Sequence, residues 1–140
     1  MTARRLRGDE GAATTEFVII APAMLFMILL IVQLALYFHA ISVASSAAQD
    51  GAHDASLLGA TPADGEETAR QLIEALAPEL LQGVDAHGQT VDGGDRVRMT
   101  VSGDVSQVIT IPGTDLSISV NETAETPVEQ FRPAAGAAVP

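Results

Sequence analysis

The sequence contains no cysteine and no tryptophan, and it has seven basic residues against eighteen acidic ones among 140 residues. Without cysteine, the chain can form neither a disulfide nor a thiolate metal site. Four of the five aromatic side chains lie within residues 17–38 and only Phe131 follows, so the rest of the chain lacks aromatic surfaces for base stacking. The net charge of −11 also disfavours the binding of polyanions such as nucleic acids. We therefore expect no nucleic-acid partner.

Charged side chains are also missing from one long apolar run. Residues 17–38 contain none, and Gln33 is the only strongly polar residue among them. These 22 residues would extend about 33 Å as a helix, and the hydrocarbon core of a bilayer is about 30 Å thick. The following residues are too few and too polar to surround such a helix in a soluble core. The sequence therefore predicts a transmembrane helix with its span at 17–38.

The charges on the two sides of this span differ in sign. Arg4, Arg5 and Arg7 precede it, whereas fifteen of the eighteen acidic residues follow it, together with only four arginines. Positive residues beside a first span remain in the cytoplasm. The pattern predicts a single-pass protein of the cell membrane with a cytoplasmic N-terminus and an extracytoplasmic C-terminal domain.

Glu16 directly precedes the span, where a carboxylate is costly unless it is hydrated or paired. One interpretation places it in the headgroup layer, near the positive end of the helix dipole. The other depends on its spacing. If the chain were cut after Gly11, Ala12 would carry a free ammonium group at position i of a helix and Glu16 would be i+4, on the same face. That amine could pair with Glu16 of the same chain or of a neighbour.

The short basic leader, Gly11, Glu16 five positions later and the long apolar helix together resemble a prepilin-type signal. The segment GAATTEFVIIAP, which begins at Gly11, is similar to the N-terminal segment of the TadE-like family. The members of this family are pilin-related proteins of tight-adherence (Flp-type) pilus systems. The resemblance covers residues 11–38, and Pro22 lies where that family often carries a proline, which would kink the helix.

This resemblance implies a minor pilin or pseudopilin, a structural or assembly component of a surface-adhesion pilus. It implies that a prepilin peptidase removes residues 1–11 by cutting between Gly11 and Ala12. It also implies that the partners are the membrane, other Tad/Flp pilus subunits and inner-membrane assembly proteins. Two alternatives stay open: a permanently anchored binding module that is not processed, and a secreted protein released by signal peptidase near Ser42-Val43-Ala44.

The residues after the span are rich in alanine and serine and contain no proline before residue 62. We expect the helix to continue outside the membrane at least to Asp50, within a helical region 12–58, and Gly51 to fray or bend it. Four alanines recur at helical spacing and could form a packing seam with other subunits, or could simply stabilise an exposed helix; they are Ala40, Ala44, Ala47 and Ala48.

The sequence pattern of residues 59–125 predicts a small α+β domain. A flexible tail is expected at 126–140. Thr61 and Pro62 suit the start of an amphipathic helix, and Pro78 should end or kink it, with a turn to Gly83. Its apolar stripe consists of Ala69, Leu72, Ile73, Leu76, Ala77, Leu80 and Leu81. A polar loop is expected at 85–95. Three short antiparallel strands are expected at 96–102, 105–111 and 116–121, with turns at Gly103-Asp104 and Pro112-Gly113. The helix stripe should cover the dry face of this sheet.

No pattern typical of an enzyme is present. A nucleophile requires a positioned base, and His39, His53 and His87 belong to no such set. The spacing of Asp85, Asp92 and Asp95 does not fit an EF-hand, and neither a phosphate loop nor a zinc motif occurs. We predict a non-enzymatic protein with no catalytic residues, no cofactor, no metal and no small-molecule substrate.

Overall fold

The computed structural model describes the backbone of residues 9–108, 113 and 117–130, and the side chains in these ranges from Thr14 onward. Two helices precede three strands: α1 (Asp9–Ser56), α2 (Pro62–Leu76), β1 (Leu81–Val91), β2 (Arg96–Val105) and β3 (Ile118–Pro127). The strands form an antiparallel sheet in the order β1-β2-β3. This arrangement confirms the predicted α+β fold, with a long apolar N-terminal helix, a second helix and a three-stranded antiparallel sheet.

Helix α1 has two parts with different surroundings. It contains 48 residues and is therefore about 72 Å long. No side chain from Thr14 to His39 is buried, whereas seven of the residues from Ala40 to Ala52 are buried, among them Ala40 and Ala47, both 0% exposed. The expected continuation of the helix beyond residue 38 is thus confirmed.

The alanine face of α1 belongs to the core of the protein's own domain. Ala40, Ala44, Ala47 and Ala48 are at most 1% exposed and cluster with buried side chains of α2 and of the sheet. The other members of this cluster include Ile73, Met99, Val101 and Val120. The prediction that these alanines form a seam with other subunits is therefore wrong, as is the alternative of an exposed helix, because the chain covers this face itself.

Helices α1 and α2 approach each other at two glycines. A Cβ added at Gly51 would lie 2.6 Å from the carbonyl oxygen of Gly65, and one added at Gly65 would overlap the carbonyl oxygen of Gly51. Beside this contact, the Thr68 hydroxyl donates a hydrogen bond of 2.7 Å to the Asp54 carboxylate. Gly51 therefore neither frays nor interrupts α1; it lies buried inside the helix because only hydrogen fits between the two backbones.

The boundaries of α2 confirm the expected start and stop signals. Thr61 is the N-cap and Pro62 the first helical residue. The Asp64 carboxylate accepts hydrogen bonds from the Thr61 hydroxyl and backbone N–H, both at 2.8 Å, and these bonds hold the pKa of Asp64 below its ordinary value. The helix ends at Leu76, two residues before Pro78. Leu76 is 56% exposed, so the prediction that it helps to cover the sheet is wrong.

Strand β1 lies where a turn and a polar loop were expected. Its residues 85–91 pair with β2, although they are mostly polar. The register shifts between Gln82 and Asp85, next to Gly83 at φ +60°. This irregularity changes the phase of the strand, so that Leu81 and Ala86, five residues apart, are both buried. The period-two pattern that identifies a strand is therefore absent from the sequence.

The other two strands also differ from the prediction in their limits. Gly103 and Asp104 do not form a turn but continue β2, in which Val101, Gly103 and Val105 lie on the dry face. The strand expected at 105–111 is not formed as predicted: residue 105 ends β2, and residues 106–108 belong to no strand. Residues 109–111 lie outside the described residues. Gly113 has φ +88°, the value that a type II turn requires at its third residue; Pro112 lies outside the described residues.

Residues 126–129, the first part of the expected flexible tail, are held by β3 and by two hydrogen bonds. Thr126 and Pro127 belong to β3. The N–H of Val128 donates to the Asp95 carbonyl at 2.9 Å, and the N–H of Glu129 donates to the Ser56 carbonyl at 2.9 Å. The second bond satisfies a carbonyl at the C-terminal end of α1, which has no partner within the helix. Residues 131–140 lie outside the described residues.

Glu66 connects α2 to β1. Its Oε1 accepts a hydrogen bond from the Gly88 N–H at 2.9 Å, its Oε2 lies 3.4 Å from Arg70 Nη2, and Nδ1 of His87 lies 3.7 Å away. The bond from Gly88 favours the ionised carboxylate most strongly and lowers the pKa of Glu66 despite partial burial. The contact is close because β1 crosses the start of α2 at Gly88, where an added Cβ would meet the Pro62 carbonyl oxygen at 2.8 Å.

Replacement of Gly65 by alanine should destabilise the domain. In an exposed helix this change gains about 1 kcal/mol of helix propensity, but here the new methyl group forces α1 and α2 apart, and overpacking typically costs about 1–3 kcal/mol. We expect a lower melting temperature for the detergent-solubilised full chain, measured by circular dichroism. Gly103→Ala is the control, because its Cβ would meet its nearest neighbour at 3.4 Å. A melting temperature for Gly65→Ala at or above that of the wild type would contradict the close crossing.

Acidification should weaken the domain through Glu66. A carboxyl whose pKa is lowered by folding stabilises the folded state above its unfolded pKa, about 4.3, and loses this contribution as the pH falls through its folded value. Glu66→Gln should therefore lower the melting temperature at pH 7, and the difference from the wild type should shrink below about pH 4. Glu74→Gln, on the exposed face of the same helix, is the matched control. A difference that stays constant with pH would contradict an ionised Glu66 in this contact.

Candidate functional site

The candidate processing site lies in the first turns of α1. The helix begins at Asp9, so the bond between Gly11 and Ala12 falls within its first turn, where backbone N–H groups have no helical partner. Glu16 lies one turn after Ala12 and its side chain is exposed. The helix thus provides the i, i+4 spacing on which the pairing of Glu16 with a new amine at Ala12 depends. Both assignments stay predictions, and Arg4, Arg5 and Arg7 lie outside the described residues.

The following part of α1 exposes a large apolar surface. The exposed fractions of Phe17, Ile19 and Met27 are 70%, 69% and 64%, and further large apolar residues are exposed on every side of the helix up to Phe38. Among the described residues, one helix, Thr14–Ser56, is long and apolar enough to cross a membrane; its most apolar window has a mean hydropathy of 2.8. The core helix of a soluble protein would be buried, and this window is 0% buried. The segment is a candidate membrane span.

Pro22 lies within this exposed part, and α1 continues on both sides of it. Proline has no N–H, so the carbonyl of Val18, four residues earlier, loses its usual helical donor. The side chain of Pro22 is exposed. A kink at this position, which the family resemblance implies, stays a prediction.

Gln33 makes a contact that sequence analysis did not predict. Its Oε1 accepts a hydrogen bond of 2.8 Å from the backbone N–H of Val108, 75 residues later in the chain. Its Nε2 is shielded from solvent and has no hydrogen-bond partner among the residues that the structure describes. The signal that could have drawn attention to Gln33 is its position as the only strongly polar side chain of residues 17–38.

The charged groups of the sheet are arranged as exposed pairs. Glu125 on β3 accepts hydrogen bonds from Arg98 at 2.6 Å and from Arg96 at 3.2 Å, both on β2. Pairs of this kind in water contribute about 0–1 kcal/mol each. Within the described part of the chain, no group of three or more His, Asp or Glu side chains is placed to hold a metal ion. His39, His53 and His87 are exposed or only partly covered at three separate places.

Comparisons with known proteins give one match. No curated protein and no solved structure matches the chain. The model of a protein family, described as TadE-like protein, matches residues 11–53. These residues comprise the candidate span and most of the alanine-rich part of α1, and they stop before α2. The match to residues 11–53 confirms the resemblance to the TadE-like family and relates the chain to the Tad pilus, with which this structural family is associated.

Proposed function

We propose that the protein is a TadE-like minor pilin or pseudopilin, an assembly component of a Flp-type pilus used in surface adhesion. The observation that carries this proposal is the coincidence of the family match at residues 11–53 with one continuous helix, α1. The first part of that helix exposes apolar side chains suited to lipid, and its last part forms the core of a small domain. One continuous helix thus provides both the part suited to the membrane and the part that carries the domain.

The surface through which such a subunit meets its partners follows from the packing of α1. Ala40, Ala44, Ala47 and Ala48 are occupied by the chain's own α2 and sheet and cannot contact another subunit without opening the core. Most apolar side chains of residues 17–38 are exposed, although Tyr37 near the end of this range packs partly against the core. Other Tad/Flp subunits and inner-membrane assembly proteins would therefore pack against the span, within the membrane, by close van der Waals contact.

The proposed orientation has the N-terminus in the cytoplasm and the domain outside the cell membrane. Arg4, Arg5 and Arg7 support it, since positive residues beside the first span are retained on the cytoplasmic side. The chain after the span carries fifteen acidic residues and only four arginines, so it lacks the excess of positive residues that would retain it in the cytoplasm. A prepilin peptidase with its active site at the membrane surface would reach the Gly11–Ala12 bond from the cytoplasmic side.

The packing of α1 argues against release by signal peptidase. The small residues Ser42, Val43 and Ala44 lie inside α1, and Val43 and Ala44 are 4% and 1% exposed. Cleavage there would detach Ala40 and Val43 from the core that they help to fill. The second candidate function, an anchored binding module without processing, retains the same helix and differs only in the N-terminus of the mature protein.

The mature N-terminus tests the proposed processing. Mass spectrometry of the protein extracted from its own cells should find a chain that begins at Ala12. Gly11→Leu should leave residues 1–11 attached, because a bulky side chain replaces the small residue at the cleavage site, and the protein should stay in the membrane. Gly8→Leu makes the same change three residues earlier and should be processed normally. Normal processing of Gly11→Leu, or a wild-type chain that begins at Met1 or Thr2, would refute cleavage after Gly11.

Loss of the charge of Glu16 should weaken assembly but not processing. A free amine at Ala12 would then lack a counter-charge near hydrocarbon; removing one partner of a fully buried pair costs about 3–5 kcal/mol, and less at a wet interface. We expect matured Glu16→Gln to co-purify with less of its pilus partners. Glu10→Gln is the control, because residue 10 leaves with the leader before assembly. Undiminished co-purification of Glu16→Gln would show that Glu16 has no pairing role.

A further inference from the structure

The connection after β2 runs back along α1 towards the candidate span. At its start, the N–H of Ser106 donates to the Leu80 carbonyl at 2.8 Å. Two residues later, the N–H of Val108 donates to Gln33 Oε1 at 2.8 Å. Gln33 lies seven residues before Ala40, the first buried residue of α1, which is about 10 Å along the helix axis. The connection therefore extends well below the point at which the domain core begins.

We propose that the start of the β2–β3 connection, residues 106–108, lies in the outer headgroup layer of the bilayer, where the side chain of Val108 contacts lipid. This inference rests on the proposed function, because it requires that α1 crosses the membrane. It assigns Gln33 as the residue that holds the connection against α1, and it places the outer limit of the hydrocarbon at Gln33 rather than at residue 38.

The hydrogen bonding of the connection favours the headgroup layer over the hydrocarbon. Residues 106–108 belong to no helix or strand, and irregular backbone facing hydrocarbon would leave polar groups unsatisfied at a cost of several kcal/mol each. The headgroup layer contains water and polar lipid groups that can bind them. Gln33 satisfies the N–H of Val108, and its own Nε2 is shielded from solvent.

The side chains and charges of the connection also suit a lipid surface. Val108 is 50% exposed although it is apolar. The sequence carries no charge at 105–114, in a part of the chain that is otherwise strongly acidic, so this stretch would not be repelled by anionic lipid. Tyr37, one turn beyond Gln33 on α1, already packs partly against the domain core, so the protein part of the structure begins directly above Gln33.

The length of the span agrees with this outer limit. A span of about 20 residues is sufficient to cross the hydrocarbon. If it ends at Gln33, it begins at about Thr14. Glu16 then lies just inside the hydrocarbon rather than before it, where a carboxylate has a stronger need for a partner.

Fluorescent labels at single cysteines can measure the depth directly, because the chain has no cysteine of its own. Val108→Cys carries the label in the full-length protein, reconstituted in phosphatidylcholine–phosphatidylglycerol vesicles with nitroxide lipids. Two other exposed sites serve as references: Met24→Cys within the span, 60% exposed, and Leu58→Cys two residues after the end of α1, 75% exposed. We expect headgroup nitroxides to quench the label at 108 and deep nitroxides to quench that at 24, while the label at 58 loses no fluorescence.

The possible results separate this inference from the proposed function. If the label at 24 is quenched and that at 108 behaves like the one at 58, the inference fails and the membrane span stands. If the label at 24 is not quenched either, the span itself is refuted, and this inference with it.

A second variant tests the role of Gln33. Gln33→Leu removes the acceptor for the Val108 N–H, so the label at 108 should lose much of its quenching by headgroup nitroxides. Gln49→Leu makes the same change on the same helix, where the amide contacts only Ser45 at 3.1 Å, and should leave the quenching unchanged. Equal quenching in Gln33→Leu and the wild type would show that Gln33 does not hold the connection.

Discussion

The close packing of the small-residue face of α1 against α2 and the sheet is the contact on which the rest of the structure depends. Alanine and glycine bury little apolar area, so this interface is stabilised by short backbone separations and many weak dispersion contacts rather than by large side chains. The largest fully buried apolar side chains, Met99, Val97 and Val101, come from β2, and Met99 and Val101 belong to the same cluster as the alanines of α1. Residues 40–56 of α1 contact both α2 and the sheet, and without them the buried side chains of these elements would lose the helix face that covers them.

This packing joins the candidate membrane span to the domain without a linker. The same helix exposes apolar side chains over its first part and contacts protein over its last part, and its sequence changes accordingly from large apolar residues to alanine and serine. A domain built around the end of a span has its orientation to the bilayer determined by that span. The hydrogen bonds that bind Val108 to Gln33 and Glu129 to Ser56 connect the domain to α1 at two well-separated levels.

The sequence predicted the elements whose signals are local, and it missed those that depend on tertiary contacts. The span, the N-cap at Thr61 and the helix end before Pro78 follow from composition and backbone chemistry alone. The alanine spacing was compatible with a packed face or with an exposed helix, and it is the same whether the packing partner is another subunit or the chain itself. Strand β1 was missed because its irregularity between Gln82 and Asp85 removes the alternation, and Gly103-Asp104 resembled a turn although pairing with both neighbours keeps it in β2.

Glu16 and Gln33 are the two polar residues of the span region, and each is unfavourable near hydrocarbon unless another group binds it. They differ in which group that is. They lie 17 residues apart, about 25 Å along the helix, which is less than the thickness of the hydrocarbon core. An upright helix therefore cannot keep both outside it. Gln33 is neutral and bonds to Val108 of its own chain. Glu16 is a carboxylate whose side chain is exposed on the helix surface, so it is compensated either by water and headgroups or, as we propose, by a group brought to that surface. An amine created at Ala12, one turn away, is such a group, and its appearance only after cleavage would make assembly depend on processing.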